Sequence, residues 1–205
     1  FQNIPIRTAM GREVRKAFIP QENGWVILSA DYSQVELRIM AHYSREPELI
    51  KAFEEDSDIH SRTAALVNGI SESEVTSAQR RSAKVVNFGI MYGAGPYRMS
   101  QELGISMAEA KTLVDTYFNT YPGIRKYMDE TLSFARKKGY VETMYGRRRR
   151  TGNLYASNRN LVQAEERVAI NMPIQGTAAD LIKIAMINIH KRMASEGYLS
   201  KMILQ

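Results

Sequence analysis

The chain has no cysteine, and its three histidines (His42, His60 and His190) are scattered along 205 residues. Without cysteine neither a disulfide framework nor a thiolate metal site can form, and isolated histidines do not have the spacing of a zinc site. Absence of cysteine fits an intracellular protein. Long apolar runs are also missing. The stretches present fall far short of the roughly 20 residues a membrane-spanning helix needs, and no segment has the form of a signal peptide. No internal repeat or low-complexity tract is present. Acidic residues are the minority charge, 22 against 28 lysines and arginines, for a net charge of +6. That balance fits a polyanionic partner, although many basic proteins bind no nucleic acid.

What is present suits a soluble globular fold. Hydrophobic residues make up 44% and charged residues 24%, enough to build a real core. The charges are unevenly placed. Acids gather at Glu46, Glu48, Glu54, Glu55, Asp56 and Asp58, and bases at Arg136 to Lys138 and Arg147 to Arg150. A basic cluster focuses a field that scattered charges would not. The chain opens on Phe1 and closes on Lys201 to Gln205, which reads as an unfinished strand, so an excised piece of a longer protein is expected.

Hydrophobic periodicity predicts a helix-rich α+β chain. Residues 1–20 read as a loop with a short extended piece. Trp25 to Ala30 is a continuous apolar run ending at Asp31, the pattern of a buried central strand. Helices are predicted over 34–43, 48–56, 58–68, 77–92, 106–121 and 123–138. Ser71 to Glu74 resembles a capping box opening a short helix, and Gly93, Gly95 and Pro96 break the helix before them. Residues 140–144 alternate like a strand, and Tyr145-Gly146 turns into the arginine run. A long helix over 158–194 carries Pro173, where a kink is expected, and Gly197 ends it.

Two places carry chemistry. Asp31 stands at the end of the predicted strand, where a carboxylate either caps the next helix or is held rigidly as a metal ligand. A hard oxygen donor with no histidine or cysteine beside it favours magnesium or manganese over zinc. Glu36, near the start of the following helix, would by itself do no more than complement the helix dipole, worth about 0.3–1 kcal/mol.

The second place is the helix over 77–92. Arg80, Lys84, Phe88 and Tyr92 recur every four residues, so they share one slowly drifting stripe. Two cations so spaced repel by about 0.2–0.5 kcal/mol, which a bound anion would reverse. The polyphosphate of a nucleotide is such an anion, and the aromatics that follow could stack on its base. A solvated basic face running into a buried aromatic patch fits the spacing as well. Gly89, Gly93 and Gly95 weaken the helix end by about 1 kcal/mol each and would let it hinge.

These residues resemble a known family. Asp31-Tyr-Ser-Gln-Val-Glu-Leu-Arg38 is similar to motif A of family A DNA polymerases, the class of bacterial DNA polymerase I. The segment from Arg80 to Gly93 is similar to the same family's motif B. Gln2 to Arg7, Asp58-Ile-His60, Tyr145 to Arg149 and Asn171 to Asp180 resemble further family segments, in the same order. The resemblance implies a right-hand polymerase fold: fingers with part of the palm antiparallel sheet. Residues 1–45 would be palm, 46–145 fingers including the motif B helix 77–92, and 146–205 a return to the palm.

It also implies a DNA-directed DNA polymerase that adds deoxynucleotides to a primer 3′-hydroxyl with two Mg²⁺ ions, Mn²⁺ being the alternative. Asp31 would ligate both ions and the Tyr32 carbonyl one. Lys84 would contact the phosphates and serve as acid for the leaving pyrophosphate, with Arg80 and His60 holding the β- and γ-phosphates. Gln34 would line the nucleotide site, Phe88 would pack on sugar and base, and Tyr92 would sit beside the nascent pair until the fingers close. Arg7, Arg167, Asn171 and Gln175 would lie on the primer–template side, some reaching minor-groove acceptors that are largely independent of sequence. Phe88, where the family alternative is tyrosine, implies poor use of nucleotides lacking a 3′-hydroxyl. The implied partners are primer–template DNA and deoxynucleoside triphosphates. The implied parent is a monomer in the bacterial cytoplasm, associated with the nucleoid.

The family's motif C, Val-His-Asp-Glu, with the second metal-binding aspartate, is expected just after Gln205, and the thumb before Phe1. Asp180, inside the long helix, is expected to be structural. The fragment alone is therefore expected not to extend primers, and a nucleotide- and nucleic-acid-binding module without catalysis is the alternative reading. In the family Glu36 sits under the sugar and blocks a 2′-hydroxyl, which separates this chain from single-subunit phage RNA polymerases. In an active, longer chain Glu36→Ala should raise ribonucleotide incorporation, measured by competition of ribo- and deoxynucleotides in primer extension; unchanged sugar selectivity would count against the assignment.

Overall fold

The computed structural model describes residues 4–6 and 8–203. They divide into two compact units, 1–33 and 34–205.

In the first unit the predicted loop contains a helix, α1 (Ala9–Lys16). The Thr8 hydroxyl caps it by accepting the Gly11 N–H at 3.1 Å, and Arg15 donates twice to the Ile4 carbonyl, at 3.2 and 2.8 Å. The strand expected over 25–30 is not formed. Val26 is 83% exposed and Leu28 88%, so the buried central strand is corrected to an open segment. A strand needs a neighbour to take its N–H and C=O groups, and no described segment pairs with this one. Asp31 and Tyr32 follow it, both exposed, rather than at a rigid strand end.

The second unit is helical. Its elements are α2 (Val35–Ser44), α3 (Pro47–Glu54), α4 (Ile59–Asn68), α5 (Ser77–Met91), α6 (Pro96–Leu103), α7 (Met107–Thr120), α8 (Pro122–Lys138), the hairpin strands β1 (Tyr140–Glu142) and β2 (Arg148–Arg150), and α9 (Arg159–Ser195). Ser71 to Glu74 forms the capping box, around a single 3₁₀ turn. In this unit the helix not expected from the sequence is α6. Pro96, which ends α5 in the sequence pattern, occupies the first turn of α6, where proline loses no hydrogen bond and its φ is already helical. Residues 201–203 are not a strand, and 204–205 lie outside the described residues.

One core joins these helices. Leu37 and Met40 of α2, Leu49 of α3, Ile59 of α4, Ile90 and Met91 of α5, Tyr117 of α7, Ile124 of α8 and Ile174 of α9 are all essentially inaccessible. Each such side chain contributes about 1.5–3 kcal/mol through burial. Glu46 is buried among them, and its carboxylate accepts the Gly123 N–H at 2.7 Å, capping the start of α8. Pro173 lies inside the 37-residue α9 without ending it. No described helix is long and apolar enough to cross a membrane.

The hairpin is antiparallel, with Val141 opposite Arg149, and it packs on α9. Thr177 accepts the Met144 N–H at 3.0 Å and shares a 3.1 Å hydrogen bond with Tyr43 of α2. Arg147 donates to Asp180 and to the Gly176 carbonyl, both at 2.9 Å. Gly176 permits this close approach, since a Cβ there would lie 2.5 Å from Thr143 Cγ2. Gly176→Ala should therefore destabilise the protein by about 1–3 kcal/mol through overpacking, despite alanine's better helix propensity. Urea unfolding measures this, and a neutral or stabilising result would rule out the tight contact.

Candidate nucleotide and nucleic-acid site

The site in the second unit is built where α5 lies along α4. The Thr76–Gln79 capping box sets the start of α5: Gln79 N–H donates to Thr76 Oγ1 at 3.2 Å, and Thr76 N–H to Gln79 Oε1 at 2.9 Å. Arg80 follows one turn in. Asp58 caps α4, accepting the His60 N–H at 3.0 Å and the Ser61 hydroxyl at 3.0 Å, and it also accepts Arg80 Nε at 2.5 Å. Partial burial would raise the Asp58 carboxyl, but the bonds from Arg80, His60 and Ser61 outweigh it and hold it down at about 2. Lys84, one turn beyond Arg80, is exposed and has no carboxylate partner among the described residues. Two cations therefore face outward, and among the described residues Asp58 is the only carboxylate bonded to either.

Inward of them stands an aromatic row. The His60 ring is buried and lies 5.8 Å from Phe88, which stacks on Tyr92 at 6.2 Å and 28°. Burial lowers the His60 pKa. Asp58 opposes that, and the Arg80 and Lys84 charges reinforce it, so the ring is neutral at pH 7. The stripe read from the sequence thus runs from exposed cations at Arg80 and Lys84 to half-buried rings at Phe88 and Tyr92.

At the C-terminal end of α5, Tyr92 is held by two other elements, α2 and α9. Its hydroxyl donates to Glu36 Oε2 of α2 at 2.5 Å, and its carbonyl accepts Asn171 Nδ2 of α9 at 3.3 Å. Gln175 lies beside its hydroxyl. Burial first, and then the Glu36 carboxylate, push the Tyr92 phenol up to about 12, so it remains a donor. Gly93 follows with φ of 71°, and a Cβ there would meet Arg167 Cγ at 2.9 Å. Arg167, Asn171 and Gln175 thus form one stripe of α9 against the end of α5. Gln34 precedes α2 in a left-handed conformation, φ 54°. Its Oε1 and the Asn171 Oδ1 are buried with no hydrogen-bond partner among the described residues. Unmet acceptors of this kind cost about 1–3 kcal/mol and mark where a ligand donor can act.

In the first unit, Asp31 offers an exposed carboxylate and Tyr32 a backbone carbonyl. Among the described residues no cluster of three His, Cys, Asp or Glu side chains could enclose an ion. Oxygen donors in small number fit magnesium, which keeps waters and completes its shell with substrate phosphates. Arg7 lies outside the described residues. Asp180 is paired with Arg147. Arg147 and Arg148 both have partners within the protein, Arg148 bonding Glu142 at 2.9 Å and lying over the Tyr140 ring. Arg149 and Arg150 are exposed.

The structure adds Asn87, Thr63 and Tyr121, a buried polar group beside His60 that the sequence reading passed over. A signal was present. On α5, Ala83, Val86, Asn87 and Ile90 fall at core spacing, and a polar amide in that row calls for a partner.

The model of DNA polymerase family A matches residues 1–205. The chain is 53% identical over 204 residues to DNA polymerase I of Deinococcus radiodurans, covering 100% of this chain and 21% of that protein. It is 45% identical over 204 residues to the thermostable DNA polymerase I of Thermus aquaticus, covering 100% and 24%. The chain thus spans about a quarter or less of these relatives. Among solved structures, the POL domain of Pol1 from M. smegmatis, in complex with DNA primer-template and dNTP, superposes with a TM-score of 0.94 at 45% identity. That match covers 100% of this chain and 36% of the other.

The Asp58–Arg80 pair makes stability depend on pH. Asp58 is depressed below its ordinary value of 3.8, so its contribution is complete above that pH and is lost as pH falls through about 2. Asp58→Asn should be less stable by about 0.5–1 kcal/mol at pH 7, the pair being partly exposed. The gap to wild type should close over that acidic window in urea titrations; a gap independent of pH would show that the pair contributes nothing.

Proposed function

The chain belongs to DNA polymerase family A, and from that premise we propose that it forms the nucleotide-selecting part of a DNA-directed DNA polymerase. Residues 46–145 are assigned to the fingers, and residues 1–45 and 146–205 to the palm. The substrates are deoxynucleoside triphosphates and primer–template DNA. The observation that carries this reading is the α5 stripe, in which two outward cations lead to stacked rings ending at Tyr92 against Glu36.

Arg80 and Lys84 bind the triphosphate, and Arg80 exchanges the Asp58 carboxylate for phosphate oxygens as it does so. Lys84 holds a proton at Nζ for the leaving pyrophosphate oxygen. His60 donates a neutral hydrogen bond to the same phosphates, and Phe88 packs on the sugar and base. Tyr92 must leave Glu36 and the α9 stripe for the end of α5 to move, and Gly93 supplies the backbone freedom for that. Glu36 then faces the sugar, where a 2′-hydroxyl would collide with it. Arg167, Asn171 and Gln175 meet the primer–template in the minor groove. Asp31 and the Tyr32 carbonyl would hold Mg²⁺. When bound, two such ions supply charge stabilisation for in-line displacement of pyrophosphate by the primer 3′-hydroxyl.

A second reading, a nucleotide-binding module without turnover, is favoured for the 205-residue chain on its own, because Asp31 is the single carboxylate assigned to metal. Calorimetric titration with a deoxynucleoside triphosphate and Mg²⁺ tests the site. Lys84→Ala should weaken binding about tenfold or more, the loss of a charge-assisted contact, and unchanged affinity would refute it. Primer-extension assays on the same chain should show no product; metal-dependent extension would overturn the second reading.

A further inference from the structure

We propose that Asn87 is a positioning residue that holds His60 as the neutral Nε2–H tautomer, so that the ring presents a single uncharged donor to nucleotide phosphate. The proposal rests on the reading of His60 as a phosphate contact.

Asn87 lies on the inner face of α5 and is 0% exposed. A buried amide costs free energy unless its groups are bonded, so its partners reveal what the position demands. Nδ2 lies 3.1 Å from His60 Nδ1 and 3.1 Å from Thr63 Oγ1. The Thr63 hydroxyl has one proton, and the Ile59 carbonyl at 2.8 Å is a closer acceptor than Asn87 Oδ1 at 3.3 Å. With that proton committed, Thr63 Oγ1 accepts, from Asn87 and from the Tyr121 hydroxyl at 2.9 Å. Tyr121 remains protonated, its phenol pushed up to about 12 chiefly by burial. The Asn87 group facing Thr63 and His60 is therefore N–H, and Nδ1 must be the accepting nitrogen. In neutral imidazole the proton then resides on Nε2. Nε2 has no hydrogen-bond partner among the described residues. An imidazolium would set Nδ1–H against the Asn87 N–H, so the same contact also disfavours charging.

The division of labour follows. Arg80 and Lys84 supply the positive charge, and His60 supplies direction without charge. Tyr121 follows the last residue of α7, so the network that fixes the ring ties α4, α5 and α7 together beneath the outward cations.

The test is a long-range ¹⁵N–¹H correlation spectrum of the 205-residue chain, with His60 assigned by comparison with His60→Gln. At pH 7 the wild-type ring should be neutral with its proton on Nε2. A proton on Nδ1, or a charged ring, overturns the proposal whether or not any variant folds. In Asn87→Asp the new acceptor should draw a proton to Nδ1, and titration with dATP and Mg²⁺ should weaken about tenfold. That weakening should vanish in the His60→Gln background; if it persists undiminished there, Asn87 does not act through His60. A wild-type chain with the expected tautomer but no affinity for dATP supports the Asn87–His60 coupling and defeats the proposed function instead.

Discussion

The lateral pairing of α4 with α5 is the constraint on which the second unit depends. Along this seam α5 buries Val86, Asn87 and Ile90 and turns Arg80 and Lys84 outward. The seam is apolar at Ile59 and Ile90 and polar at its middle, where Asn87 meets His60 and Thr63. Buried amide and hydroxyl groups accept few geometries, because each misplaced donor loses a bond that water cannot replace. The polar middle therefore sets the register of the two helices, and the register decides which side chains form the outward stripe.

Each end of α5 is then secured differently. The N-terminal end is held by the Thr76–Gln79 box and by Arg80 on Asp58, contacts that are largely exposed and open to exchange with another anion. The C-terminal end is held through Tyr92 by Glu36 and Asn171, with Gln175 beside the phenol. These are contacts to other helices, so movement there requires the phenol to leave a carboxylate. A helix fixed along its length and releasable at its ends suits the proposed role, in which one end grips phosphates and the other reads a base and sugar.

Much of this was legible in the sequence, for identifiable reasons. The helices at 58–68, 77–92, 106–121 and 123–138 carry strong apolar periodicity and clear caps, which are local properties. The stripe of Arg80, Lys84, Phe88 and Tyr92 follows from helical spacing alone. The failures were of two kinds. Residues 9–16 and 96–103 are short helices whose signals, a threonine cap and a proline at the first turn, also occur in loops. Residues 25–30 have the composition of a strand, but strand formation is a property of two segments, and composition names only one.

Spacing within single segments thus accounts for the longer helices, the order of the motifs and the residue types brought to the site, but not for α1 or α6. Only the tertiary structure decided the partners. It set Arg80 on Asp58, Tyr92 on Glu36 and Asn87 on His60, pairs that are 22, 56 and 27 residues apart along the chain. It also divided the arginine run into Arg147 and Arg148, engaged within the protein, and Arg149 and Arg150, turned to solvent. The physical reason is that charge and hydrogen-bonding capacity belong to a residue, whereas the group that satisfies them depends on which helices the core brings into contact.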